Sequence, residues 1–163
     1  MTFGKHKIVF LSKNTNLTKT VFHFKATSIH INEINMKKRI AAVHEFHTAF
    51  KLGINDTPTA SIGEDRNLLR FNLMKEENEE YLEAAQNNDL VEVADALGDM
   101  LYILCGTIIE HGMQDKIEEV FDEIQRSNMS KLGEEGKPIY REDGKVLKGP
   151  NYFKPNIARV LDK

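Results

Sequence analysis

Six carboxylates in the middle of the chain carry its clearest chemistry. Glu76, Glu77 and Glu80 form an E-E-x-x-E run, and Glu92, Asp95 and Asp99 follow after a polar stretch. On a helix the second set stands at i, i+3 and i+7, so its members share one face. Both sets lie within hydrophobic runs, where charge is costly unless something neutralises it. A solvated helix face accounts for Glu79 and Glu83 and can account for Glu76, but it accounts poorly for Glu77, Asp95 and Asp99. The ligands on offer are all oxygen, with no His or Cys at matching spacing. Such a set selects Mg²⁺, Mn²⁺ or Ca²⁺ over zinc or iron. A di-iron bundle would show Glu-x-x-His on two helices, and that motif is absent. Mg²⁺ usually takes one or two carboxylates plus phosphate oxygens, so a cluster this acidic implies two or more ions. Two ions can activate a water and stabilise a phosphate undergoing in-line displacement. The chemistry this suits is metal-assisted attack on a phosphate.

Helices must position these groups. A first helix is expected over Met36–Lys51, with Ile40, Val43, Phe46 or His47, and Phe50 as its apolar stripe and Gly53 as its end. His44 and His47 ride on it as boundary residues. Asn55–Ala60 reads as a loop around Asp56 and Pro58. Ser61 and Glu64 have the spacing of a capping box, so a second helix should run over Ile62–Gln86. Its buried stripe would be Ile62, Leu69, Leu73, Glu77, Tyr81 and Ala84. After a turn at Asn87–Asp89, a third helix over Leu90–His111 should stop at Gly112. It is apolar nearly all round and so reads as central and buried. A fourth helix is expected over Asp115–Ser127, with Ile117, Val120, Phe121 and Ile124 as its apolar face. Short connections make the fold an all-α, four-helix bundle. Beyond Asn128, Lys137–Lys148 reads as a short C-terminal β-hairpin turning at Asp143-Gly144. Asn156 can cap a last helix over Ile157–Leu161.

The 163 residues suit one domain. An apolar share of 40% is enough for one sizeable core. The formal charge of −3 is unevenly spread. From Glu64 to Asp99 eleven acids face three bases, a balance of −8, whereas from Asn128 to Lys163 eight bases face five acids, a balance of +3. An acidic middle and a basic tail suit a metal-bound anion between them. No dense basic patch with interleaved aromatics points to nucleic acid, and no apolar stretch reaches membrane-spanning length. The one cysteine, Cys105, reads as a small core residue; a single cysteine permits no internal disulfide and suits a reducing cytoplasm. Residues 1–35 hold five Lys and one acid, Glu33, with short β-prone pieces and no persistent helical period. They are expected to be a loosely attached or poorly ordered extension ahead of a domain at 36–163.

The motif Glu76-Glu77-x-x-Glu80 followed by Glu92-x-x-Asp95 resembles that of the all-α NTP pyrophosphohydrolases, a superfamily that includes MazG proteins, dimeric dUTPases and phosphoribosyl-ATP pyrophosphohydrolase. Glu45-Phe46-His47, Asp95-Ala96-Leu97-Gly98-Asp99 with Tyr102, Ser127-Asn128-Met129-Ser130-Lys131, and Gly144–Asn151 look like one MazG-related subgroup. The resemblance covers about Met36 to Leu161. It implies Mg²⁺-dependent hydrolysis (Mn²⁺ being an alternative ion) of a nucleoside triphosphate to the monophosphate and pyrophosphate, as in nucleotide-pool house-cleaning. Glu76, Glu77, Glu80, Glu92 and Asp95 would be the metal ligands, and Glu77 would also orient or deprotonate the attacking water. His47, Asp99, Asn128, Lys131, Lys145 and Lys148 would form the substrate-binding set, with Phe46 and Tyr102 as further candidates near the base. A homodimer or homotetramer is implied. Two alternatives stay open: phosphoribosyl-ATP pyrophosphohydrolase of histidine synthesis, and a non-catalytic nucleotide- or metal-binding regulatory bundle.

Overall fold

The computed structural model describes residues 36–162; the expected extension over 1–35 lies outside them. The elements are α1 (Met36–Ala49), α2 (Glu64–Gln86), α3 (Leu90–Glu110), α4 (Ile117–Met129), a 3-10 turn at Glu134–Gly136, and α5 (Ile157–Leu161). The all-α expectation holds: four long helices dominate, and the described residues contain no strand.

The core lies where α1 meets α3. Ile40 and Val43 of α1 pack with Cys105, Ile108 and Ile109 of α3, and Met36, Ile54, Met113 and Ile117 close around them. Cys105 is a buried core residue, as its apolar surroundings suggest. Of the two candidates for the next position on the α1 stripe, His47 is buried while Phe46 and Phe50 stay exposed. The helix ends earlier than Gly53 predicts. Lys51 takes the left-handed conformation (φ 56°), Leu52 N–H donates to the His47 carbonyl at 2.8 Å, and the chain turns off there.

The loop from Leu52 to Gly63 is strapped across the C-terminal end of α3. Asn55 N–H donates to the Ile109 carbonyl at 3.2 Å, Thr59 N–H to the His111 carbonyl at 3.0 Å, and His111 Nδ1–H back to the Thr59 carbonyl at 2.9 Å. Gly112 (φ 66°) presses so closely on the Thr57 backbone that no side chain fits. It also completes the α3 stop: Gly112 N–H donates to the Ile109 carbonyl and Met113 N–H to the Ile108 carbonyl.

The expected capping box does not form. Ser61 turns to Thr59 instead, and α2 starts from Gly63 (φ 94°) without a side-chain cap. Glu64 and Asp65 in the first turn favour that end electrostatically. The face of α2 also departs in part from the expected stripe. Leu69 and Tyr81 are exposed and Arg70 is buried in their place, whereas Ala84 is buried and Ile62, Leu73 and Glu77 are half-buried as the stripe expects. Asp89 caps α3 as expected, accepting from Val91 N–H at 3.0 Å and Glu92 N–H at 3.2 Å. Helix α3 is central but not wholly covered. Leu97, Leu101, Leu104 and, beside them, Phe71 of α2 stay exposed, because nothing among the described residues packs on that side.

Helix α4 carries the tail. The Ser127 hydroxyl donates to the Phe153 carbonyl, Phe153 N–H donates to Ser130 Oγ, and Arg126 stacks 4.3 Å above the Phe153 ring. Asn156 caps α5 over the expected residues. The predicted hairpin is not present. Tyr140 and Val146 form one isolated antiparallel bridge, and Asp143 pins the turn by accepting from Lys145 N–H and the Arg141 guanidinium. The flanking residues are exposed and have no third strand to pair with, and an isolated two-strand unit is marginal in water.

Candidate active site

Helices α2 and α3 run antiparallel across the three-residue turn at Asn87–Asp89. This brings the two acidic sets together. Glu77 lies at the centre and is partly buried, while Glu76, Glu80, Glu92, Asp95 and Asp99 open to solvent. The sequence placed all six in apolar surroundings. Five are exposed because the α2–α3 face that bears them is uncovered. Partial desolvation pushes the Glu77 carboxyl above the usual glutamate range, and the like charges of Glu80, Asp99, Glu76 and Asp95 push it further. Among the described residues no lysine, arginine or histidine forms an ion pair with any of the six. Lys75, the nearest base in sequence, pairs with Glu79 at 2.8 Å.

A hollow of about 410 Å³ opens at the turn end of this pair, lined by Glu80, Glu83, Ala84, Asn87, Asp89 and Glu92. Glu83, which spacing alone assigned to solvent, thus faces the same space as two predicted ligands. The donor set fits a hard cation: it is all oxygen, uncompensated, and spread over two rigid helices. No three acids or imidazoles among the described residues already stand at coordination spacing. An ion would have to draw the carboxylates inward.

The other predicted site residues form no hydrogen bond or ion pair with the acids, although Tyr102 follows Asp99 by one turn of α3. His47 is 2% exposed and donates through Nδ1–H to the Gly53 carbonyl at 2.9 Å, so it holds the turn after α1. Tyr102 packs edge-on to Phe46 with ring centroids 5.7 Å apart. Asn128 accepts from Lys131 Nζ at 2.7 Å, and Lys148 lies 4.4 Å above the Tyr152 ring. Lys145 lies in the Asp143 turn. None of these four tail residues forms a hydrogen bond or ion pair with the acidic face of the same chain.

What the sequence reading missed is a buried charge cluster at the other end of α3. Glu110 is 1% exposed, and Arg66 grips it with Nε (3.0 Å) and Nη2. Arg70 Nη1 stands 3.5 Å from the same carboxylate. Burial lowers the Arg70 guanidinium pKa from its usual value, an effect Glu110 opposes and Arg66 adds to. Neither arginine matched an apolar period, so the only sequence signal was a basic pair one helical turn apart.

A helical pair that sets E-E-x-x-E against E-x-x-D, with no basic partners of its own, defines the class of the all-α NTP pyrophosphohydrolases. The family model described as phosphoribosyl-ATP pyrophosphohydrolase matches residues 43–128, and the chain belongs to that family, within the MazG-like all-α superfamily. Membership supports a pyrophosphohydrolase acting on a nucleotide. No curated protein matches the chain. No helix among the described residues is long and apolar enough to cross a membrane.

Proposed function

We propose that the chain hydrolyses a nucleoside triphosphate to the monophosphate and pyrophosphate, in nucleotide-pool house-cleaning. The observation that carries this reading is the uncompensated acidic face of α2 and α3, centred on a glutamate whose carboxyl is pushed upward. Glu76, Glu77, Glu80, Glu92 and Asp95 would hold Mg²⁺ or Mn²⁺, two or more ions in all. Bound there, the ions would neutralise the triphosphate and lower the pKa of a bound water. Glu77 is the group suited to take the water's proton at a carboxylate oxygen, because it stands at the centre of the acidic set. Asp99, whose charge acts on Glu77, would belong to the substrate-binding set.

The tail would supply positive charge. Asn128, Lys131, Lys145 and Lys148 form no hydrogen bond or ion pair with their own acidic face, and α3 leaves Leu97, Leu101 and Leu104 uncovered. Both facts suit a homodimer or homotetramer in which one subunit's tail reaches its neighbour's acids. His47 would then act on the substrate only indirectly, through the α1 turn it holds. A cytoplasmic setting suits this chemistry.

The family's description favours a second substrate, phosphoribosyl-ATP. One assay separates the readings: incubate the chain with Mg²⁺ and a panel of NTPs, dNTPs and phosphoribosyl-ATP, and measure pyrophosphate. Release from common nucleotides supports house-cleaning. Release from phosphoribosyl-ATP alone supports the second substrate, and binding without release from any supports a regulatory bundle.

A further inference from the structure

Arg70 seats on α3 at one well-defined place. Its side chain is 9% exposed. Nε–H donates to Thr107 Oγ1 at 3.0 Å, the guanidinium also donates to the Ile103 carbonyl, and Nη1 approaches Glu110. Ile103, Thr107 and Glu110 are successive positions along one stripe of α3. Between them lies Gly106, where a Cβ would stand 2.8 Å from both Arg70 Nη2 and His47 Nε2. Helices α1, α2 and α3 therefore meet over a residue with no side chain. A slide of α2 by one turn, about 5.4 Å, would break every one of these bonds.

This junction and the acidic site lie on one ladder. Glu77 stands seven residues after Arg70, and Asp99 stands seven before Gly106. In antiparallel helices both steps run about 10 Å in the same direction and return to nearly the same face. Glu77 does stand among Glu80, Asp99, Glu76 and Asp95. The next step of seven gives Ala84 and Glu92, and both line the hollow at the turn.

We infer that Arg70 is a positioning residue: seated over Gly106, it fixes the α2–α3 register that sets Glu77 against Asp99, and so tunes the metal affinity of carboxylates two turns away. The role concerns register more than total stability. Glu110 keeps its Arg66 partner when Arg70 is shortened, but α2 loses its fork onto Ile103 and Thr107. The inference rests on the proposed function only for its catalytic consequence; metal binding tests it separately.

The test uses the full chain and Mn²⁺ alone as the probe, with affinity measured by calorimetry and folding by circular dichroism. Arg70→Lys and Gly106→Ala should remain helical and bind Mn²⁺ about tenfold more weakly, the size seen when residues supporting metal ligands are changed. The two changes together should cost less than the sum of their separate effects, because they disturb one junction. Val43→Ala, in the α1–α3 core, should lower Tm yet leave Mn²⁺ affinity within about twofold. If pyrophosphate is released, kcat should fall more than KM changes in the junction variants. Unchanged Mn²⁺ affinity in folded Arg70→Lys and Gly106→Ala overturns the inference. So does an equal loss in Val43→Ala, or loss of the fold in both junction variants. A wild-type chain that binds Mn²⁺ but hydrolyses no nucleotide overturns the proposed function and leaves the Mn²⁺ comparison to decide the register. One that binds no Mn²⁺ overturns both.

Discussion

The Ser127 hydroxyl donates to the Phe153 carbonyl at 2.8 Å, and Ser127 is buried although it belongs to an otherwise polar run. Ser130 supports the same stretch of tail by accepting from Phe153 N–H at 3.1 Å. Two serines of the S-N-M-S-K segment thus fasten the tail to α4, while its Asn128 and Lys131 pair with each other on the exposed side. Ser127→Ala removes one of these ties at a cost of about 0.5–1.5 kcal/mol, local to the tail, since water can reach the exposed Phe153. Limited proteolysis should cut beyond residue 130 faster in the variant. If the tail grips substrate, KM should rise while kcat holds; an unchanged cleavage rate would remove Ser127 from this role.

Breaking the buried charge cluster should be far more costly. Glu110→Gln leaves the buried Arg70 guanidinium without its carboxylate, and removing one partner of a buried pair typically costs about 3–5 kcal/mol. Denaturant unfolding should show a lower midpoint with little change in slope. Arg66→Ala should cost less, since Arg66 is about one-third exposed and Arg70 stays beside Glu110. Reversal of that order would mean that Arg66 carries the pair.

Asp89 sets the start of α3 at the edge of the acidic hollow. Its carboxylate satisfies two orphan N–H groups, those of Val91 and Glu92. Asp89→Ala should cost about 1 kcal/mol, the usual worth of an N-cap. Asp89→Asn should restore most of it. Equal loss in both variants would assign the effect to charge near the helix N-terminus instead of to the hydrogen bonds.

These residues show where the sequence was legible. Asp89, Gly112 and Asn156 announce helix ends through their own backbone chemistry, which needs no distant partner, and the structure uses all three as expected. The acidic spacing was legible for the same reason: i, i+3 and i+7 share a face whatever the helix packs against. The burial of α2 was legible only in part: Ile62, Leu73, Glu77 and Ala84 turn inward as expected, but Arg70 takes the place of Leu69, and its partners Ile103 and Thr107 arrive from over thirty residues away. An arginine interrupts an apolar period, so periodicity discards the residue that docks the helix. The capping box failed through competition. Thr59 Oγ1 takes the Ser61 backbone N–H that Glu64 would have reached, and Gly63 could adopt a backbone angle that starts the helix two residues later.

Glu77 ties the acidic face to a measurable pH dependence. Its carboxyl is raised by partial desolvation first and then by Glu80, Asp99, Glu76 and Asp95. A glutamate whose folded pKa exceeds its unfolded one costs nothing at low pH, where both states are protonated. As pH rises past the ordinary glutamate value of about 4.3, the unfolded chain releases its proton first and folding stability falls. The loss is complete once pH passes the folded value. Glu77→Gln removes this penalty, so at neutral pH without divalent ions the variant should melt above the wild type. The difference should vanish below about pH 4. Mg²⁺ should raise the wild-type Tm and narrow the gap, because a cation neutralises the crowding that the glutamine has abolished. In the same variant pyrophosphate release should fall by about a hundredfold or more, since the proton acceptor is gone. A variant that melts below the wild type at neutral pH, without metal, would show that Glu77 is held by a favourable partner, and the acidic face would lose its claim to be a site waiting for a cation.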